Sequence, residues 1–157
     1  MRDELSLAGE IMGFKSIVCG VTGSAHAQKA ALEAAVLAKQ NNAKLTYVYA
    51  VDTGFLKSSF GGMSTSIAQE GLERLGSQIL EFAEQLAQAH QITPKKVVRS
   101  GPVLEILQQV VQEEEADLLV LGHEERSFFQ KALFKGGVED HIEELKKLTG
   151  VDVTVIR

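Results

Sequence analysis

The stretch Ala116-Asp117-Leu118-Leu119-Val120-Leu121-Gly122 decides how this chain folds. An unbroken apolar run stops at a glycine. A short continuous run of this kind reads as a strand buried on both faces. Strands of that type belong to parallel sheets covered by helices, where ligands sit beyond the carboxyl ends of the strands. The residues after Leu121 are therefore the first place to look for function. They read Gly122-His123-Glu124-Glu125-Arg126-Ser127, then Phe128 to Lys135, then Gly136-Gly137-Val138.

Downstream, Val138, Ile142 and Leu145 give a last helix its apolar face, and Thr149-Gly150 stops it with Gly150 just past the end. Val151, Val153 and Val155 then alternate with Asp152 and Thr154 in a final strand. Upstream, Leu104, Ile106, Leu107, Val110 and Val111 form the buried face of a helix. Ser100-Gly101-Pro102 starts that helix, with Pro102 in the first turn, where no amide hydrogen is needed. Glu113-Glu114-Glu115 reads as its solvated end, although three acids there oppose the helix dipole. Val97-Val98 is a short third strand following Pro94.

The longest helix runs from Ser66 to about Gln91. Leu72, Leu75, Ile79, Phe82 and Leu86 step by three and four and predict one core-facing stripe. Thr53 to Thr65 is rich in glycine and serine and reads as a mobile surface loop. Before it, Leu45 to Val51 is the second strand. Ala27 to Asn41 is a helix crowded with alanine, which favours helix and lets it lie close to a sheet. Ser16 to Val21 is the first strand, with Cys19 as a small buried hydrophobe. The turn Thr22-Gly23-Ser24 follows, and Ser24 or a neighbour caps the helix. Residues 1–13 carry little pattern and are expected to form an N-terminal arm before a single domain over 14–157. Strand–helix four times, then a strand, predicts a doubly wound α/β domain with right-handed crossovers.

The totals agree. A chain of 157 residues with 45% hydrophobic and 24% charged residues suits one globular domain. A net charge of −5 argues against nucleic acid as a main partner. No stretch approaches the ~20 apolar residues that span a bilayer. Cys19 is alone and the N-terminus lacks a secretory pattern, so the expected location is cytoplasmic.

A strand ending in ADLLVLG, then x-x-x-Arg-Ser, then Gly-Gly-Val opening a helix before a last strand, resembles the universal stress protein family. The resemblance covers Phe14 to Arg157. It implies a five-stranded parallel sheet of order 3-2-1-4-5. It also implies a homodimer through the last strand, Val151 to Arg157, an edge whose unpaired groups invite association. Many members carry G-x-x-G, nine residues, then G-S/T, a pattern that cradles the phosphates of ATP. This chain keeps Gly122. It has Glu125 for the second glycine, Gly137 for the hydroxyl residue, and one extra residue of spacing. Thr22 replaces the aspartate that helps to hold the nucleoside. A nucleotide crevice would thus comprise Gly122, Arg126, Gly136 and Gly137 at the phosphates, with Val21, Thr22 and Val51 near the base.

Charge weighs against that crevice. In its favour, Gly136-Gly137 would supply amides and Arg126 would pair with phosphate oxygen. A carboxylate ~5 Å from one phosphate charge repels it by about 3 kcal/mol at an effective dielectric near 20. Micromolar ATP binding totals only about 8 kcal/mol. Replacing glycine also closes the open backbone approach. The expectation is a regulatory or interaction module in stress response that lacks family-type ATP binding. The alternative is a switch that binds ATP or another adenine nucleotide.

Other chemistries find no support. There is no Walker motif, no full dinucleotide fingerprint and no G-x-S-x-G elbow. No catalytic constellation emerges, and a weak ATPase has no nameable base. His123 and His141 lack metal-ligand spacing. Phe128, Phe129 and Phe134, interleaved with Lys131 and Lys135, form either a short helix over the sheet edge or a patch that docks a protein partner.

Overall fold

The computed structural model describes residues 13–22, 25–51, 65–122 and 142–156. Strands β1 (Ser16–Gly20), β2 (Lys44–Val51), β3 (Lys95–Ser100), β4 (Leu118–Gly122) and β5 (Asp152–Ile156) alternate with helices α1 (Ala25–Asn41), α2 (Thr65–Gln88), α3 (Val103–Glu113) and α4 (Ile142–Thr149). The strands form one sheet of order β3-β2-β1-β4-β5, with every neighbouring pair parallel. The predicted topology is the observed one. Residues 1–12 of the expected arm lie outside the described residues.

Two apolar clusters flank the sheet. One gathers the alanines of α1 with Leu80, Ala83 and Ala87 of α2. The other gathers α3 with Leu145 of α4. Each face therefore carries two helices, as right-handed crossovers require when the chain reverses direction after β3. Every β4 residue is buried, as a central strand covered on both faces must be.

Helix α1 meets the sheet through Ala27, Ala30, Ala31, Ala34, Ala35 and Ala38, all fully buried. Short side chains bring its backbone within reach of Tyr47, whose hydroxyl donates to the Ala31 carbonyl at 2.7 Å. Burial drives the Tyr47 phenol far above its ordinary range, because its charged form would lose hydration.

Helix α2 differs from its expected orientation. The predicted stripe was centred on large residues, yet Leu75 and Phe82 are each 45% exposed. The buried line is Gly76, Leu80, Ala83 and Ala87, with Leu72, Ile79 and Leu86 half-buried beside it. The cause is Tyr49. A β-carbon at position 76 would stand 2.4 Å from its ring, so the glycine lets the helix seat directly on that side chain. Close approach by small residues outweighed the centre of hydrophobic mass. The helix also ends earlier, at Gln88, and Gln91 takes a left-handed turn conformation.

The third strand is longer than Val97-Val98. It lies at a sheet edge, where Lys95, Lys96 and Arg99 keep their charged ends near water. Ser100 closes this strand instead of opening the next helix. Pro102 stands one position before α3 and its carbonyl accepts the Ile106 N–H at 3.0 Å.

The acids after α3 are not simply a solvated end. Glu114 is buried, with its carboxylate 3.2 Å from Lys44 Nζ and 2.6 Å from Lys95 Nζ. Its carbonyl accepts the Ser16 hydroxyl at 2.8 Å. Glu113 takes a two-pronged contact from Arg99, at 2.9 and 3.0 Å. These cations offset the repulsion between the acids and the helix carbonyl end. Asp117 accepts the N–H groups of Lys15 and Ser16, which ties β1 to β4 at the same edge. At the far end of the chain Gly150 has φ +77 and donates to the Lys146 carbonyl, the predicted stop of the last helix.

Candidate functional site

The chain leaves β1 toward β2 on one side and β4 toward β5 on the other. The carboxyl ends of these two neighbouring strands are the topological switch point of the sheet, where α/β folds open a crevice. The described parts of the site are Val21 and Thr22 after β1, Val51 at the end of β2, and Gly122 at the end of β4.

These four residues contribute differently. Val21 extends the ladder beyond β1, its N–H donating to Val48 O at 2.9 Å, and its side chain is buried in the core under α1 and α2. Val51 is buried in the same cluster, and its carbonyl accepts the Gly101 N–H at 2.8 Å. Both valines are buried in the core, and Val21 also lines a cavity between α1 and α2. Thr22 is half-exposed. Gly122 closes β4 opposite Ile156 of β5. A β-carbon on it would lie 2.8 Å from the His26 carbonyl oxygen and 3.0 Å from the Ala27 nitrogen. The first turn of α1 is therefore seated on this glycine.

The remaining named residues, Arg126, Gly136 and Gly137, lie outside the described residues. So do Glu125, which interrupts the motif, and Phe128, Phe129 and Phe134. His123 and His141 lie outside them too. Among the described residues, no group of three or more His, Cys, Asp or Glu side chains could hold a metal ion.

Two features at this end of the molecule escaped the sequence. At the end of β3, the Ser100 hydroxyl donates to Glu73 at 3.0 Å, while the Gln69 side-chain amide donates to Ser100 Oγ at 3.0 Å and to Glu73 at 3.1 Å. This half-buried trio pins the start of α2 to the carboxyl edge. The only sequence signal was the spacing of Gln69 and Glu73, one helical turn apart. The second feature is a cavity of about 400 Å³ between α1 and α2, walled by Thr22, Tyr49, Leu75, Ile79, Phe82 and Leu86, among others. It lies where the stripe of α2 had been expected to meet the core. No described helix is long and apolar enough to cross a membrane.

Comparison with known proteins agrees with the architecture. The model of the universal stress protein family matches residues 13–157. A solved protein of that family from Burkholderia pseudomallei superposes with a TM-score of 0.69 at 22% identity, over 90% of this chain and 95% of that one. A universal stress protein solved in complex with cAMP gives 0.63 at 22% identity, over 92% and 97%. The Archaeoglobus fulgidus universal stress protein in complex with dAMP gives 0.59 at 14% identity, over 91% and 98%. At such identities these structures establish likeness of fold. The search of curated proteins found no match. With the family model spanning nearly its whole length, the chain belongs to the universal stress protein family.

Proposed function

We propose that this protein is a regulatory or interaction module of the stress response, homodimeric through β5 and without family-type ATP binding. The observation that carries the reading is the position of β5. It is the last strand of the sheet, and among the described residues it pairs only with β4. Its outer row of backbone groups offers the bonds a second copy can complete. Val155 and Ile156 are half-buried and extend the two clusters to that edge. The motif departures at Thr22, Glu125 and Gly137 support the second half of the reading, since each removes a feature that nucleotide binding uses.

Sedimentation of the intact protein tests the pairing. Thr154 is half-exposed on β5, so Thr154→Lys places a charge at the edge without opening the core. It is expected to weaken dimerisation at least about tenfold, a concentration-dependent effect. A wild-type chain that sediments as a monomer at about 100 µM would remove the dimer from the reading.

The second reading is an adenine-nucleotide switch, with Gly122, Arg126, Gly136 and Gly137 at phosphate and Val21, Thr22 and Val51 near the base. The cAMP and dAMP complexes of the two structural relatives favour it.

A further inference from the structure

We propose that the groove between α1 and α2 is the docking site of the chain's own N-terminal segment, residues 1–12.

The groove needs an apolar occupant. Its cavity measures about 400 Å³, and no charged side chain of the described residues lines it. Leu75 and Phe82 stand on its wall, each 45% exposed, although they belong to a helix whose adjoining face is core. Apolar side chains grouped in a concave surface mark an interaction site more often than singly scattered ones do.

The start of the described chain points to the occupant. Phe14 packs against the cluster that α1 and α2 cover, so residues 1–12 join the domain on the groove's own face. The Phe14 N–H donates to Asn41 Oδ1 at 3.2 Å, at the residue where α1 ends. Lys39 Nζ meets Gln91 Oε1 at 2.9 Å and joins the ends of α1 and α2 there. The segment thus enters at the end where both helices finish, and the groove runs from that end toward Thr22. From Leu86 to Leu75 is about 16 Å of helix axis. Twelve extended residues reach about 40 Å. Length is ample.

Chemistry also fits. Leu5, Leu7, Ile11 and Met12 supply apolar side chains, while Arg2, Asp3, Glu4 and Glu10 can remain in water. A tethered segment meets its site at an effective concentration on the order of millimolar, ahead of dilute competitors. The docking itself rests on neither the dimer nor the nucleotide reading.

The full-length chain and its triple variant Leu5→Ser, Leu7→Ser, Ile11→Ser are compared using N-phenyl-1-naphthylamine, an uncharged aromatic probe, and amide hydrogen exchange. The triple variant is expected to bind the probe at least about tenfold more tightly, the release of a tethered competitor at about millimolar effective concentration with an intrinsic Kd of about 0.1 mM or below. Exchange should rise across residues 75–86. A synthetic peptide of residues 1–12 should displace the probe, and adding Phe82→Ser to the triple variant should abolish probe binding. Equal probe affinity in the two chains overturns the proposal. So does α2 protection that fades on dilution, because the occupant would then be a second copy.

Discussion

Gly122 lies against the backbone of His26, and a β-carbon there would stand 2.8 Å from the His26 carbonyl oxygen. The obstacle is main chain at the first turn of a helix, so no side-chain rotation relieves it. Gly122→Ala is therefore expected to destabilise the fold by about 2 kcal/mol, within the range for overpacking a close contact. Urea unfolding measures this. A loss below about 0.5 kcal/mol would mean that α1 can shift away from β4. The prediction matters for function because Gly122 stands where the family's phosphate pattern has its first glycine in the sequence resemblance. Packing alone gives a reason for glycine here, with or without a nucleotide.

Glu114 links α3 to the starts of β2 and β3, through Lys95 and Lys44. Hydrogen bonding from Lys95, then from Lys44, holds its carboxyl below the ordinary value of 4.5. The folded state thus binds this proton less tightly than the unfolded state. Its stabilisation is complete above about pH 4.5 and is lost as pH falls through the depressed folded value. Both lysines are half-exposed, so Glu114→Gln should cost only about 1–2 kcal/mol at pH 7. Unfolding measured from pH 7 to pH 3 should show the variant and wild type converging on the acid side. A constant difference would assign the effect to lost hydrogen-bond geometry and not to charge.

At the opposite end of the pH scale, Tyr47 behaves in the reverse sense. Burial holds its phenol protonated well past the ordinary value of 10.0. Above pH 10 the unfolded chain releases this proton while the folded chain keeps it, so stability falls as pH rises. Tyr47→Phe should remove most of that alkaline slope and cost about 1 kcal/mol at pH 7, the net worth of one buried hydrogen bond. Tyrosinate absorbance provides a second readout. The Tyr47 phenol, identified by the signal that Tyr47→Phe removes, should titrate only with unfolding; a Tyr47 phenol that titrates in the folded protein would contradict the buried bond to Ala31.

Much of this molecule was legible from its residues. The run Leu118 to Leu121 fixed a central strand because full burial leaves no room for alternation. The alanines of α1 identified its sheet-facing side because a face without bulk has no other use. What could not be read was set by contact between distant residues. Nothing local to α2 reveals that Gly76 meets Tyr49, so the residues alone do not give the rotation of the helix or the groove beside it. Nor does Glu113-Glu114-Glu115 reveal that Lys44 and Lys95 wait beside its middle member. At the crevice, sequence located the carboxyl ends of β1, β2 and β4, where Val21, Val51 and Gly122 stand. It could not show that both valines are buried in the core and that Gly122 is seated against α1.

The question of nucleotide turns on Glu125. Its carboxylate is a sequence fact, and at ~5 Å from a phosphate charge it opposes binding by up to about 3 kcal/mol. Titration calorimetry with ATP and Mg²⁺, on protein freed of co-purifying nucleotide, is expected to show no binding below millimolar. Glu125→Gly should then restore measurable affinity, by as much as about a hundredfold if the full repulsion is relieved. A parallel Thr22→Asp change tests the nucleoside side of the crevice, and the two gains should add if the positions are independent. Micromolar binding by the wild-type chain would instead mean that Glu125 turns into water and Arg126 carries the phosphates, and the switch reading would replace the interaction module. If neither substitution restores binding, other features of the loop have also abandoned the nucleotide geometry, and the β5 edge becomes the place to look for function.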